Sequence, residues 1–216
     1  DWPKVNSLGV MNASTLTQAC AIAKVAKEGK TALVLVEDES VGTKLVRDIN
    51  EIMGVEIAAL FPSRAFNFLP ILAQNNEYEL ARIAVLNKLK NGACKAVIAT
   101  PKATQQFVMP KKVLAENSFC LQKNDGISIL QLTQRLCKLG YLACEFVEVP
   151  GQFAVRGGIV DIYSPGEKKP MRIEFFGDEI ENIFELNVLT NRRESTKEKL
   201  EVLPVKEAVY TPEKLF

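Results

Sequence analysis

Of the side chains that usually carry acid–base or nucleophilic chemistry, this sequence lacks histidine altogether. That removes Ser/His and Cys/His pairs and most zinc sites, and leaves only carboxylate, lysine or cysteine chemistry. The cysteines, Cys20, Cys94, Cys120, Cys137 and Cys144, are odd in number, scattered and without a C-x-x-C pair. They read as reduced, mostly buried thiols of a cytosolic protein. Residues 9–15 (GVMNAST) offer the first glycine of a phosphate loop and a Ser/Thr near a helix start. They offer no lysine to balance phosphate charge, and Asn12, Ala13 and Ser14 stand where flexible glycines would let the backbone approach a nucleotide. An ordinary capped helix start is the reading there. Glu37, Asp38 and Glu39 form a carboxylate run that reads as a solvated first helical turn complementing the helix dipole, not as a metal cluster. No catalytic residue, metal ligand or cofactor is therefore expected.

Binding chemistry is better represented. In residues 61–70 (FPSRAFNFLP), Arg64 with Phe66 and Phe68 has the make-up of a stacking platform, although apolar loop residues more often tuck beneath the loop. The most distinctive stretch is residues 149–166 (VPGQFAVRGGIVDIYSPG) followed by 171–180 (MRIEFFGDEI). Period-two alternation puts Ile173 and Phe175 on one face of a strand and Arg172, Glu174 and Phe176 on the other. In the preceding strand Arg156 joins that presented set if residues 164–169 fold the two as a hairpin. Gly157 and Gly158 fit a bulge that re-aims the strand. Two arginines, a carboxylate and a phenylalanine facing outward have the composition of a protein-binding hot spot. Routine cross-strand charge pairs of small energy have the same composition.

The elements that must position these residues change character along the chain. A capped helix starts at Ser14 or Thr15 and ends at Gly29, and residues 31–36 are a short apolar run typical of a doubly buried strand. A second helix closes at Gly54, residues 55–61 are a strand, residues 77–91 a helix, and residues 95–100 a strand cut off by Pro101. Strand and helix alternating at this length predict a parallel sheet with packed helices. From residue 118 strands dominate: 118–122, a helix over 128–139, then strands 141–149, 153–163 (broken at Gly157-Gly158), 171–176 and 180–188 with turn residues between them. Residues 190–199 read as a charged linker and 200–205 as one more strand, returning to the first sheet.

Composition adds exclusions. The 216 residues carry 27 basic and 26 acidic side chains, a net charge of +1. Residues 1–116 hold 14 basic against 11 acidic groups and residues 117–216 hold 13 against 15, so neither half has the basic excess of a phosphate-backbone binder. No apolar run approaches the ~18 residues of a membrane span, and no targeting pattern opens the chain. The lack of an initial Met and the ending at Phe216 suggest a piece of a longer protein.

Residues 148–163 and 172–180 resemble the signature of the UvrB-homologous module in transcription-repair coupling factors of the Mfd family. Leu60 to Pro62, Arg82 and Leu86, Ala99 to Pro101, Leu139 to Tyr141 and Leu203-Pro204 extend the likeness over most of the chain. The resemblance implies a degenerate RecA-like (P-loop-type) parallel-sheet α/β domain in residues 1–116, with Thr15 near where the phosphate-loop lysine belongs. It implies an inserted α+β, antiparallel-sheet UvrA-binding domain in 117–190, and a linker and return to the first domain in 191–216. Arg156, Arg172, Glu174 and Phe176 are the implied UvrA contacts, while UvrB itself carries a further arginine where Ala154 stands here. Arg156→Ala or Arg172→Ala is expected to weaken UvrA binding while leaving stability nearly unchanged. RNA polymerase, duplex DNA, ATP and magnesium are implied for other domains of the parent translocase, in the cytoplasm. The competing reading is a UvrB-like nucleotide- or DNA-binding module.

Overall fold

The computed structural model describes residues 9, 11–64 and 77–207, which divide into two compact units. The first takes the described residues up to Pro62 together with Asn91–Gln105, and the second takes the described residues of Ser63–Lys90 and from Gln106 to Glu207.

In the first unit, helix α1 (Thr15–Lys27) begins where the Ser14 hydroxyl accepts a hydrogen bond from the Thr17 amide, and the chain turns out of it at Gly29 with φ +80°. Strands β1 (Ala32–Leu35), β2 (Ala58–Phe61) and β3 (Ala96–Ala99) form a wholly parallel sheet in the order β1-β3-β2. Helix α2 (Glu39–Met53) starts at Asp38, whose carboxylate accepts from the Val41 amide at 2.9 Å. The acidic run is thus a helix cap. One sheet face, carrying Val34, Ile98 and Leu60, packs against Ala19, Leu45 and Ile49 of the helices. Asn50 ties α2 to β2 by accepting from the Ile57 and Ala58 amides and donating to the Ala58 carbonyl. The short α4 (Pro101–Thr104) follows β3 directly, with Pro101 at its first position and Thr100 as its cap.

The second unit holds α3 (Glu77–Lys90), α5 (Lys111–Glu116), α6 (Ile129–Lys138) and two antiparallel pieces of sheet. The larger has six strands in the order β10-β9-β8-β7-β6-β5: β5 (Leu142–Ala143), β6 (Gln152–Arg156), β7 (Ile159–Ile162), β8 (Met171–Phe176), β9 (Glu179–Leu186) and β10 (Arg193–Lys197). Every neighbouring pair is antiparallel except β5 with β6. The smaller pairs β4 (Phe119–Gln122) with β11 (Lys199–Val202). Ser128 and Gln131 form a capping box on α6, which lays Leu132 and Leu136 onto the inner sheet face of Phe153, Val160, Ile162, Ile173 and Ile183.

Several expectations need correction. Residues 193–197, read as linker, are an edge strand held through the backbone ladder on β9; all five side chains are exposed, so no apolar alternation betrays it. Residues 199–202 pair with β4 inside the second unit and do not return to the parallel sheet. The break at Gly157-Gly158 is not a bulge but a two-residue hairpin turn between β6 and β7, with Gly157 at φ +57° as such hairpins require. Only two residues of 141–149 pair in the sheet, and the remainder loops away before β6. The units also differ from the expected domains, since α3 and residues 106–116 group with the second. None of the five cysteines forms a disulfide, and Cys20, Cys120 and Cys137 are exposed where burial was expected. Among the described residues no helix is long and apolar enough to cross a membrane.

Candidate partner-binding face

Because α6 covers one face of the six-stranded sheet, the side chains alternating with its core positions must point the other way. Register then decides which of them meet. Ala154, Asp161, Arg172 and Phe184 are successive cross-strand partners on β6, β7, β8 and β9, and Arg156, Ile159, Glu174 and Asn182 form the next row. Arg156, Arg172 and Glu174 are therefore brought together on one face. Phe176 continues that face at the end of β8, where it is 81% exposed beside the Gly177 turn.

The arginines and the carboxylate are not idle charges. Arg172 donates from Nε to Asp161 Oδ1 at 2.7 Å and from Nη2 to Asp161 Oδ2 at 2.8 Å, the bidentate arrangement that is strongest for a guanidinium. Its Nη2 also donates to Asn191 Oδ1 at 2.9 Å. The Asp161 side chain is 3% exposed and that of Arg172 12%, so the pair sits in the floor of the face. The Asp161 hydrogen bonds hold the guanidinium in its charged form, raising its pKa against the opposing cost of burial. Glu174 pairs with Arg193, whose guanidinium lies 5.1 Å above the Phe184 ring. Arg156 donates to the Glu145 carbonyl and stacks 4.3 Å from the Phe146 ring. Beside them the Cys144 thiol is pushed up by burial, with Glu148 adding to the effect.

Of the four residues expected to face outward as bare contacts, only Phe176 stands clear; Arg156, Arg172 and Glu174 are each held by a partner in the chain. Truncating Arg172 therefore strips Asp161 of its counter-charge, so Arg172→Ala is now expected to cost stability as well as binding. Sequence reasoning missed Asp161, Phe146, Asn191 and Arg193. A signal existed only for Asp161: with Gly157-Gly158 recognised as a hairpin turn, the β6-β7-β8 register places it opposite Arg172.

The other candidates resolve differently. Arg64 donates from Nε to Glu207 at 2.8 Å, and the wholly buried Arg82 does the same. Gln106 accepts from the Arg64 amide at 2.7 Å, and the Phe107 carbonyl accepts from both arginines. Arg64 thus belongs to an internal clasp; Phe66 and Phe68 lie outside the described residues. At the start of α1 the Ser14 hydroxyl is spent on its own helix, within hydrogen-bond reach of the Thr17 amide and hydroxyl. Among the described residues no cluster of three or more His, Cys, Asp or Glu side chains could hold a metal ion.

The model of the UvrB interaction domain family matches residues 119–207, the segment that supplies both antiparallel sheets, α6 and the whole face. The chain is also similar to the transcription-repair-coupling factor of Bacillus subtilis (strain 168), with 32% identity over 179 residues, 83% of this chain and 14% of that protein. It is similar to that of Haemophilus influenzae at 29% over 191 residues, 88% of this chain and 16% of the relative. The Borreliella burgdorferi factor is 33% identical over 114 residues. The matched stretches span only 10–16% of the length of these relatives. The similarity to the Bacillus subtilis and Haemophilus influenzae factors extends beyond the UvrB interaction domain into the parallel-sheet unit, because 179 or more aligned residues exceed the 119–207 segment.

Proposed function

We propose that this chain is a non-catalytic adaptor region of a transcription-repair coupling factor, and that the outward face of β6 to β8 docks the excision-repair protein UvrA. The observation that supports it most is the family match over residues 119–207, which coincides with a built, mixed-charge face ending in the exposed Phe176. In this reading Phe176 is the apolar anchor, Arg156 with Phe146 is a cationic shoulder, and Arg172 and Glu174 present charges whose geometry is fixed by Asp161 and Arg193. Preorganised charges of this kind favour specificity and add little raw affinity. The parallel-sheet unit is a degenerate RecA-like half-motor without the phosphate lysine. ATP hydrolysis, RNA polymerase and duplex DNA belong to other parts of the parent, which acts in the cytoplasm to bring UvrA to polymerase stalled at lesions.

Titration of immobilised chain with UvrA tests this. Phe176→Ala and Arg156→Ala should each weaken binding by about tenfold or more, as truncation of an anchor costs ~2 kcal/mol, with thermal midpoints close to wild type. Unchanged UvrA binding by both variants would refute the assignment of the face. Micromolar binding of ATP with magnesium, or a steep salt dependence of duplex DNA binding, would favour the nucleotide- or DNA-binding alternative.

A further inference from the structure

The contact face has an apolar anchor at one end only. Phe176 and the Arg156–Phe146 stack lie toward the β8–β9 and β6–β7 turns, whereas Arg172 lies four residues back along β8 from Phe176, about 14 Å at ~3.4 Å per residue. At the Arg172 end the chain turns from β9 to β10 through residues 187–192, and this turn is built with unusual care. Asn187 Oδ1 accepts from the Leu189 and Thr190 amides, both at 3.0 Å, and Asn187 Nδ2 donates to Glu194 Oε1 at 2.8 Å. The backbone closes with Asn191 donating to the Asn187 carbonyl at 2.8 Å and Asn187 donating to the Arg192 carbonyl at 2.9 Å. Asn191 adopts φ +51°, a left-handed conformation that asparagine tolerates better than most residues, and its side chain accepts from Arg172. The turn is thereby pinned to the charged floor of the face. The Asn187, Asn191 and Glu194 side chains are thus engaged within the chain, whereas Leu189 at the tip is 95% exposed, with Arg192 exposed beside it.

We infer that Leu189 is a second apolar anchor of the UvrA-binding face, entering an apolar recess with an acidic rim that receives Arg192. The inference rests on the UvrA reading above. A fully exposed leucine on a rigid turn loses little conformational freedom on docking and gains the whole of its apolar burial, which is the economy that makes an anchor effective. Two apolar anchors bracketing a desolvated charged centre give the face one orientation on its partner, which Phe176 alone could not fix.

The test is a UvrA titration of the full chain carrying Leu189→Ser, Arg192→Ser, Phe176→Ala or Asn191→Gly, with thermal midpoints measured alongside. Leu189→Ser should weaken binding more than tenfold with its midpoint unchanged, and Arg192→Ser should weaken it less and flatten its salt dependence. Asn191→Gly keeps the left-handed turn but releases it from Arg172, and should weaken binding in the same direction as Leu189→Ser. Loss of binding in Phe176→Ala with full binding in Leu189→Ser would overturn the second anchor while leaving the UvrA face intact. Full binding by both would overturn both.

Discussion

Asp161→Ala is the perturbation that separates a structural carboxylate from a contact residue. The Asp161 side chain is 3% exposed and joined to Arg172 by hydrogen bonds of 2.7 and 2.8 Å, and the Arg172 side chain is 12% exposed. Deleting one partner of so enclosed a pair leaves a charge without compensation, which costs about 3–5 kcal/mol. Arg172 retains Asn191 Oδ1 at 2.9 Å and lies on the outer side of the sheet, where water can follow it. The lower end, about 3 kcal/mol, is therefore expected. Removing both charges in Asp161→Ala/Arg172→Leu should recover most of that loss, because an apolar pair of similar volume is nearly neutral against an enclosed ion pair. Urea unfolding followed by far-UV circular dichroism reads the difference as a shift in midpoint at constant slope. A cost below about 1 kcal/mol for Asp161→Ala, or a double variant no more stable than the single, would refute the view that the pair forms a low-exposure floor. The same cycle makes a binding experiment interpretable: under the proposed UvrA docking, an Asp161→Ala chain that stays folded but binds UvrA more weakly does so through the released Arg172.

Two further outcomes follow from the packing. Tyr141 is buried and donates to the Leu203 carbonyl at 2.8 Å, so Tyr141→Phe should cost about 1 kcal/mol at neutral pH. Burial raises the Tyr141 pKa, the Ser164 and Leu203 hydrogen bonds opposing it only in part. The stability it contributes is complete below the unfolded value near ~10 and is lost as pH rises beyond that, by up to about 1.4 kcal/mol per pH unit. The gap between wild type and Tyr141→Phe should accordingly shrink above pH ~10, and a gap that widens there would contradict the assignment. In the parallel-sheet unit, a Cβ added at Gly42 would come within 2.8 Å of Leu60 Cδ1, 3.2 Å of Ile98 Cγ2 and 3.3 Å of Val36 Cγ2. Gly42→Val should lower stability by about 2 kcal/mol in a denaturation series despite the better helix propensity of a non-glycine residue; a neutral result would mean that α2 does not press on the sheet.

The antiparallel strands with core-facing alternation, such as Met171–Phe176, were visible in the residues because period-two patterning records which side is dry. Helix starts at Ser14, Asp38 and Ser128 were equally visible, since a cap is a local bond between neighbours. Strand β10 was not, because a strand whose side chains are all solvated is specified by its neighbour's backbone and not by its own residues. The same distinction runs through the site. By itself the sequence determined that histidine chemistry and a phosphate-loop lysine are lacking, and that Arg172, Glu174 and Phe176 alternate toward one side; Arg156 joined them only through the strand register. Only the tertiary structure decided that Arg172 is locked to Asp161 and Asn191, that Arg64 closes on Glu207, and that Leu189 stands out on a turn anchored to the face. Those outcomes depend on register and on contacts between residues up to 143 positions apart, and no spacing along the chain encodes a partner that arrives from another strand.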